Sequence, residues 1–534
     1  MRLWRWIVAV AAAALCPALA LHLTGTLALP AKWADLGRAA PTPAEIAARR
    51  HLSELASRPG GVHAEDLAAA TAFYAHSGLL WVTEDGFSQR GNAVISEIRK
   101  ADDWGLRARD FALPRLPAAA VSPDAAAAAE IAVTLAVLKY ARHARGGRFG
   151  DLSKVSKVLD YKPPVRRGSE VLAEIAGSYS PDAYLRSLHP QHEQFGALRR
   201  LLLKLRGPNA QSSADPGRES AAKAVTLARI VINMERWRWL PPDLGEFYVW
   251  NNVPEFLTRV VRRGETVHTD KIVAGQPDWV TPAFSADMKM IVFHPSWGMP
   301  DGIRRKELWP RLRETSQGGG LLSIFTGSQS SKALLDRYNL QVTYQGRPID
   351  PDKVDWSTAN IGAYEFRQPP GPTNPLGKLK FMFPNKHDVY MHDTTASERD
   401  LFGKSYRGFS HGCMRVSDPR RLAVILLGQD KGWSEEQVES LLNGGTTREV
   451  KLTTRIPVHM TYFTAMVDGQ GNLQTFADLY GLDARMGAIL FGGKVPFVTP
   501  RYDDEIKSMQ TRHRPTGSAG ASSLADAIAS IFSP

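Results

Sequence analysis

Apolar residues recur three and four apart through the first part of the chain and alternate with polar ones through much of the rest. The helical spacing predicts helices over 64–76, stopping at Gly78, and over 122–143, opened by Ser122-Pro123-Asp124 and ended by Gly146-Gly147. Further helices are expected over 170–176, 181–188, 193–205 and 221–239, the last stopped by Pro241-Pro242. From Phe247 the period falls to two, giving strands over 247–250, 256–262, 265–273 and 288–293. Leu379, Phe381 and Phe383 alternate with Lys380 and Met382 in another strand. A turn over 384–388 then returns a strand over 389–392. Asp418-Pro419 caps a helix over 419–427 closed by Gly428, and Ser434 to Gln437 is a capping box opening a helix over 435–442. Strands over 450–452 and 457–467 complete the sheet.

Helices first and strands second predict an α+β chain: a helical domain over 40–225, then a mainly β domain over 226–480. The stretch 297–367 is mixed in pattern and broken by Gly318-Gly319-Gly320, so it reads as an insertion, either a lid or a decoration. Residues 31–60 and 207–220 have linker composition, and 501–534 reads as a disordered tail. Trp237 and Trp239 read as packing anchors between domains.

Composition narrows the setting. The 534 residues carry a net charge of +12, spread along the chain rather than gathered in a tract. That allows a weak pull towards an anionic polymer but gives no nucleic-acid reading motif. The chain opens with Arg2 and Arg5, continues apolar over 7–20 and reaches Ala18-Leu19-Ala20, the pattern of a secretory signal over 1–30. Apolar character resumes over 21–29, so a retained inner-membrane anchor is the alternative. Export leads to an oxidising compartment. There are two cysteines, Cys16 within the apolar run and Cys413. Removal of the signal leaves Cys413 alone, with no partner for an internal disulfide.

A single thiol in such a compartment points to chemistry. Cys413 ends Ser410-His411-Gly412-Cys413-Met414-Arg415, and His392 lies upstream at a strand end. A thiol beside an imidazole is a nucleophile that can exchange its proton for a thiolate–imidazolium pair. His387, His392, His411 and His459 compete for the base role. His411 falls on the face of Cys413 if the segment is extended. His387, in a turn, is expected to be solvated. Ser410 reads as a loop hydrogen-bonder.

A His followed after about twenty residues by Ser-His-Gly-Cys-x-Arg resembles the signature of the L,D-transpeptidase (YkuD-type) catalytic domain. Glu235-Arg236-Trp237-Arg238-Trp239-Leu240-Pro241, Gln368-Pro369-Pro370-Gly371 and Asn374-Pro375-Leu376-Gly377-Lys378 resemble the long, YcbB-like branch with an N-terminal helical scaffold. The resemblance implies Cys413 as nucleophile, His392 as base, the N–H groups of Gly412 and Cys413 as oxyanion donors, and a capping subdomain in the insertion. Asp393 is a candidate to orient His392 through its carbonyl, with His411 and Ser410 in support. Arg415 either binds a substrate carboxylate or holds the loop by an ion pair.

The implied reaction joins two peptidoglycan stems, a donor tetrapeptide and an acceptor, through a cysteinyl thioester with release of D-alanine. It gives 3-3 cross-links in the periplasm, needs no cofactor or metal, involves no nucleic acid, and implies acylation by carbapenems. A monomer is expected. The competing readings are a cysteine peptidase or L,D-carboxypeptidase on wall peptides, a metal enzyme using the same histidines, and a non-catalytic wall-binding protein.

Overall fold

The computed structural model describes residues 40–57, 61–116, 121–207, 218–317, 330–493 and 495–497. The signal or anchor over 1–30, Cys16, most of the 207–220 linker, Gly318-Gly319-Gly320 and the 501–534 tail lie outside the described residues. Among the described residues no helix is long and apolar enough to cross a membrane.

The compact units do not divide the chain where its periodicity changes. Residues up to 91 with 114–134 form one, and 92–113 with the chain from 135 onward form the other. The first holds α1 (Pro43–Ser57), α2 (Ala64–His76) and residues 123–134 of α3 (Pro123–Ala144). Glu130 organises it from within. Its fully buried carboxylate accepts the amides of Leu80, Trp81 and Val82 at 2.6, 2.8 and 3.0 Å and the Tyr74 hydroxyl. Burial raises its pKa, and the hydrogen bonds oppose that rise.

The second unit is built on a nine-stranded sheet. Its strands are β1 (Phe247–Asn252), β2 (Leu257–Arg262), β3 (Glu265–Gly275), β4 (Phe284–Phe293), β5 (Leu379–Met382), β6 (Met391–His392), β7 (Gly408–Ser410), β8 (Met414–Val416) and β9 (Arg448–Thr461). Their order is β7-β3-β8-β6-β5-β4-β9-β1-β2, and an added pairing of β2 with β3 closes the sheet on itself. Closure leaves few unpaired edges. β9 is one long strand where two were expected; a register shift between Lys451 and Ile456 accommodates the irregular stretch, and Ala465–Val467 pairs separately with Leu473–Thr475. The helix Pro419–Lys431 runs past Gly428 and ends at Gly432, whose φ of +67° provides the left-handed cap. Gly428 therefore does not close it. The Ser434 capping box forms with Gln437.

Helices also pack on this sheet. Glu193–Arg206 and Arg218–Trp237 share a core with Phe463, Met466 and Val467. All of 235–240 is buried, including the charges: Glu235 pairs with Arg238 at 3.2 Å and Arg236 with Asp483 at 2.7 Å. Trp237 stacks on Phe463 at 4.5 Å and Trp239 meets Phe149 at 5.8 Å, so both tryptophans are packing groups.

The stretch after β4 has its own four-stranded sheet and its own core of Trp297, Ile303, Leu308, Leu312, Trp356 and Phe366, among others. Its first strand, Trp297–Gly298, pairs with its last, Tyr364–Gln368, so the insertion leaves and rejoins the main sheet at one stem.

Candidate active site

Strand register assembles the site. His392 on β6 faces Lys380 on antiparallel β5 and Arg415 on parallel β8. Met391 faces Met414, so Tyr390 and Cys413, one residue earlier on each strand, are neighbours. Alternation then puts Lys380, Tyr390, His392, Cys413 and Arg415 on one face. The residues between them, Phe381, Met391 and Met414, are fully buried on the other. His392 and Cys413 are diagonal neighbours on that face, and the side chain directly across from the thiol is Tyr390.

The imidazole is locked. His392 is buried, and its Nδ1 donates to the carbonyl of Asp393 at 2.5 Å. That bond orients the ring with its proton on Nδ1, and the Pro375 backbone is a second hydrogen-bond neighbour of the imidazole. Asp393 is itself held: its amide donates to Leu379 O at 2.9 Å, while its carboxylate accepts Lys378 N at 2.8 Å and Arg399 Nη2 at 2.7 Å. Burial, then the charges of Arg415 and Lys380, push the His392 pKa down to about 3. The resting imidazole is therefore neutral.

The thiol is neutral as well. Cys413 is half-buried, with Sγ 3.9 Å from the Asp388 carbonyl oxygen. Burial raises its pKa, while hydrogen bonds from Tyr390 and the charges of Lys380 and Arg415 pull it back. The thiolate–imidazolium pair expected at rest is thus replaced by a neutral pair. Solvent is too far excluded to carry the imidazolium, and both nearby cations oppose it. A neutral imidazole remains competent to take the thiol proton during attack.

Tyr390 went unmarked in the sequence. It stands across from Cys413 and packs beside Trp297, and burial, with the charge of Cys413, holds its hydroxyl protonated well above the usual phenol range. Its ring carries Lys380 Nζ at 3.8 Å, lies 5.6 Å from the His392 ring, and packs against the core of the insertion. The Tyr-x-His alternation of 390–392 is the signal that would have found it.

The loop before Cys413 is wired internally. Ser410 Oγ donates to the Cys413 carbonyl and accepts the Gly412 amide at 3.2 Å. Gly412 has φ +107°, a conformation other residues rarely adopt, and its carbonyl accepts Thr281 Oγ1 at 2.8 Å. Since the Gly412 N–H already has Ser410 as acceptor, the expected Gly412–Cys413 oxyanion pair is not poised as drawn from sequence. His411 turns to Glu307 of the insertion at 2.8 Å and packs 4.9 Å from Trp279. It supports the loop from outside rather than serving the thiol. Glu307 belongs to a π-helical turn, Arg304–Leu308, which interrupts the insertion's first helix.

Arg415 is buried and pairs with buried Glu398 at 3.3 Å. Its geometry is that of an ion pair holding the loop, not of a group open to a substrate carboxylate. His387 is not solvated: it pairs with Asp160 at 3.0 Å and lies 5.6 Å from Phe284. His459 is buried between Ser285 Oγ and the Leu244 carbonyl, both at 2.9 Å. The histidines are thus dispersed, and among the described residues no group of three or more His, Cys, Asp or Glu is placed to hold a metal. A cleft of about 720 Å³ lies beside Lys378, Asp393, Arg399 and Arg420, and neither Cys413 nor His392 lines it.

Residues 246–440 match the L,D-transpeptidase catalytic domain family (YkuD), and residues 68–202 match the Scaffold domain family. A Haemophilus influenzae protein named "Putative L,D-transpeptidase" is 28% identical over 259 residues, 48% of this chain and 48% of that protein. The chain therefore aligns with about half the length of that relative.

Proposed function

Since residues 246–440 belong to the L,D-transpeptidase catalytic domain family and follow a Scaffold domain, we propose that the protein is an acyltransferase of the exported cell wall, working through Cys413. Sγ attacks the carbonyl of the third residue of a peptidoglycan tetrapeptide stem, and the thiol proton passes to His392 Nε2. The tetrahedral intermediate collapses to a thioester as His392 returns that proton to the departing D-alanine amine. The side-chain amine of a second stem then attacks, giving up a proton to His392, and a 3-3 cross-link is released with the thiol restored. Oxyanion charge is met by the Cys413 amide and by the Tyr390 hydroxyl, which takes the place of the committed Gly412 amide.

The observation that carries this reading is the shared face of Cys413, Tyr390 and His392, with His392 Nδ1 locked on the Asp393 carbonyl. A periplasmic location follows from the reaction and from the N-terminal signal or anchor pattern. Water as acceptor would make the same centre an L,D-carboxypeptidase. Intact-mass measurement with a tetrapeptide donor or a carbapenem tests the proposal: one adduct is expected on the wild type and none on Cys413→Ala. Product analysis with and without an amine acceptor separates transfer from hydrolysis. An adduct of equal yield on Cys413→Ala would refute the thioester.

A further inference from the structure

Lys380 has an unusual neighbour for a half-buried cation. It stands across from His392 on β5, yet its Nζ rests 3.8 Å from the centroid of the Tyr390 ring. The register of β6 on β8 sets that ring directly across from Cys413, with the hydroxyl towards the sulfur. Burial lowers the pKa of Lys380, while the charges of Cys413 and Asp388 raise it, which places the ammonium within electrostatic reach of the sulfur. A cation on an aromatic face is attracted to the ring's electron density. It draws that density from the phenol oxygen and strengthens the O–H as a donor. The same cation disfavours a proton on His392.

We propose that Lys380 is a positioning residue that acts through Tyr390: its ammonium, seated on the ring, strengthens the hydrogen bond from the Tyr390 hydroxyl to the Cys413 thiolate and so sets how readily the thiol ionises. Cys413 loses its proton, Lys380 keeps its own, and Tyr390 stays protonated throughout. The other groups facing the sulfur do not duplicate this. Arg415 is paired with Glu398. Asp388 meets the sulfur with its carbonyl oxygen, its carboxylate charge acts on Lys380 and Tyr390, and His392 is the neutral acceptor of the proton. The inference rests on the acyl-transfer reading for its purpose but not for its test.

The test is the pH dependence of Cys413 alkylation by iodoacetamide in the full chain, read by peptide mass at Cys413 so that Cys16 does not interfere. The thiolate displaces iodide, so the rate follows the ionised fraction. Lys380→Met is expected to raise the midpoint by about one unit, a roughly tenfold slower reaction below it, with an unchanged plateau above. Lys380→Arg should restore the wild-type midpoint, because a planar cation also seats on the ring. In a Tyr390→Phe background the Lys380→Met shift should be clearly smaller, keeping only the direct attraction between ammonium and thiolate. A wild-type midpoint in Lys380→Met, an equal shift in Lys380→Arg, or a full shift without the Tyr390 hydroxyl would each overturn the proposal. Lys380→Gln repeats the measurement if the Met variant does not fold; should neither neutral variant fold while Lys380→Arg does, the residue is a structural cation and the proposal fails. Alkylation needs no stem peptide. A chain that shows the shift yet transfers no acyl group keeps this inference and loses the one before it.

Discussion

Two regions of the second unit bury charge, and they do so in opposite ways. At 235–240 each cation has an anion: Glu235 with Arg238, Arg236 with Asp483. On the site face Lys380 sits on an aromatic ring and the neighbouring imidazole is held neutral. The first arrangement is complete at rest. The second is biased towards positive charge until the sulfur ionises. Buried pairs are costly to break singly because the survivor is stranded without water, whereas a positive bias around a neutral thiol lowers the energy of a state that exists only during reaction. Substitutions in the first region should therefore change stability, and those in the second should change rate.

The sharpest break is Cys413→Ala, expected to abolish acyl-adduct formation while leaving the melting curve near wild type. Glu235→Ala strands Arg238 and should cost about 3–5 kcal/mol in urea denaturation, with normal acylation by whatever fraction remains folded. His392→Ala should slow acylation by roughly 10²- to 10⁴-fold, with little loss of stability. Its pH profile is a separate test. With the His392 pKa near 3, the acylation rate should show no step near the ordinary histidine value of about 6.5; a step there would mean that the imidazole is charged at rest. The same depression makes His392 a source of stability above about pH 6.5 that is lost as pH falls towards 3. Glu307→Ala removes the His411 contact at 2.8 Å and should cost about 1 kcal/mol, seen as a severalfold slower acylation. His387→Ala, which leaves Asp160 paired with Lys386 at the partly exposed rim, should move stability by at most about 1 kcal/mol and leave acylation unchanged.

What the sequence revealed followed from periodicity and spacing. Alternation at 379–383 and 389–392 gave the hairpin that carries His392; its assignment to Cys413 came from the resemblance of the motif, since β6 and β8 pair in parallel with no short turn between them. The same alternation already held Tyr390 and Lys380, two residues before His392 and directly across from it. They were passed over because a tyrosine and a lysine in a strand look like ordinary filler, and only the register shows which residues share a face. The protonation states were not legible for a different reason. They depend on how far water is excluded from His392 and on the approach of Arg415, and neither is local in sequence. The fate of the Gly412 amide turned on one rotamer of Ser410. The helical half misled about compactness, because the helices after residue 135 group with the sheet.

The stem of the insertion has a further consequence. Since Trp297–Gly298 pairs with the strand that ends the insertion, everything beyond that short ladder could be lengthened, shortened or exchanged without altering the register that aligns β5, β6 and β8. Yet Trp297, at the base of the stem, touches Tyr390. The outer surface of the insertion can therefore vary as a cassette, while its core against Tyr390 and Glu307 against His411 keep it in touch with the site face.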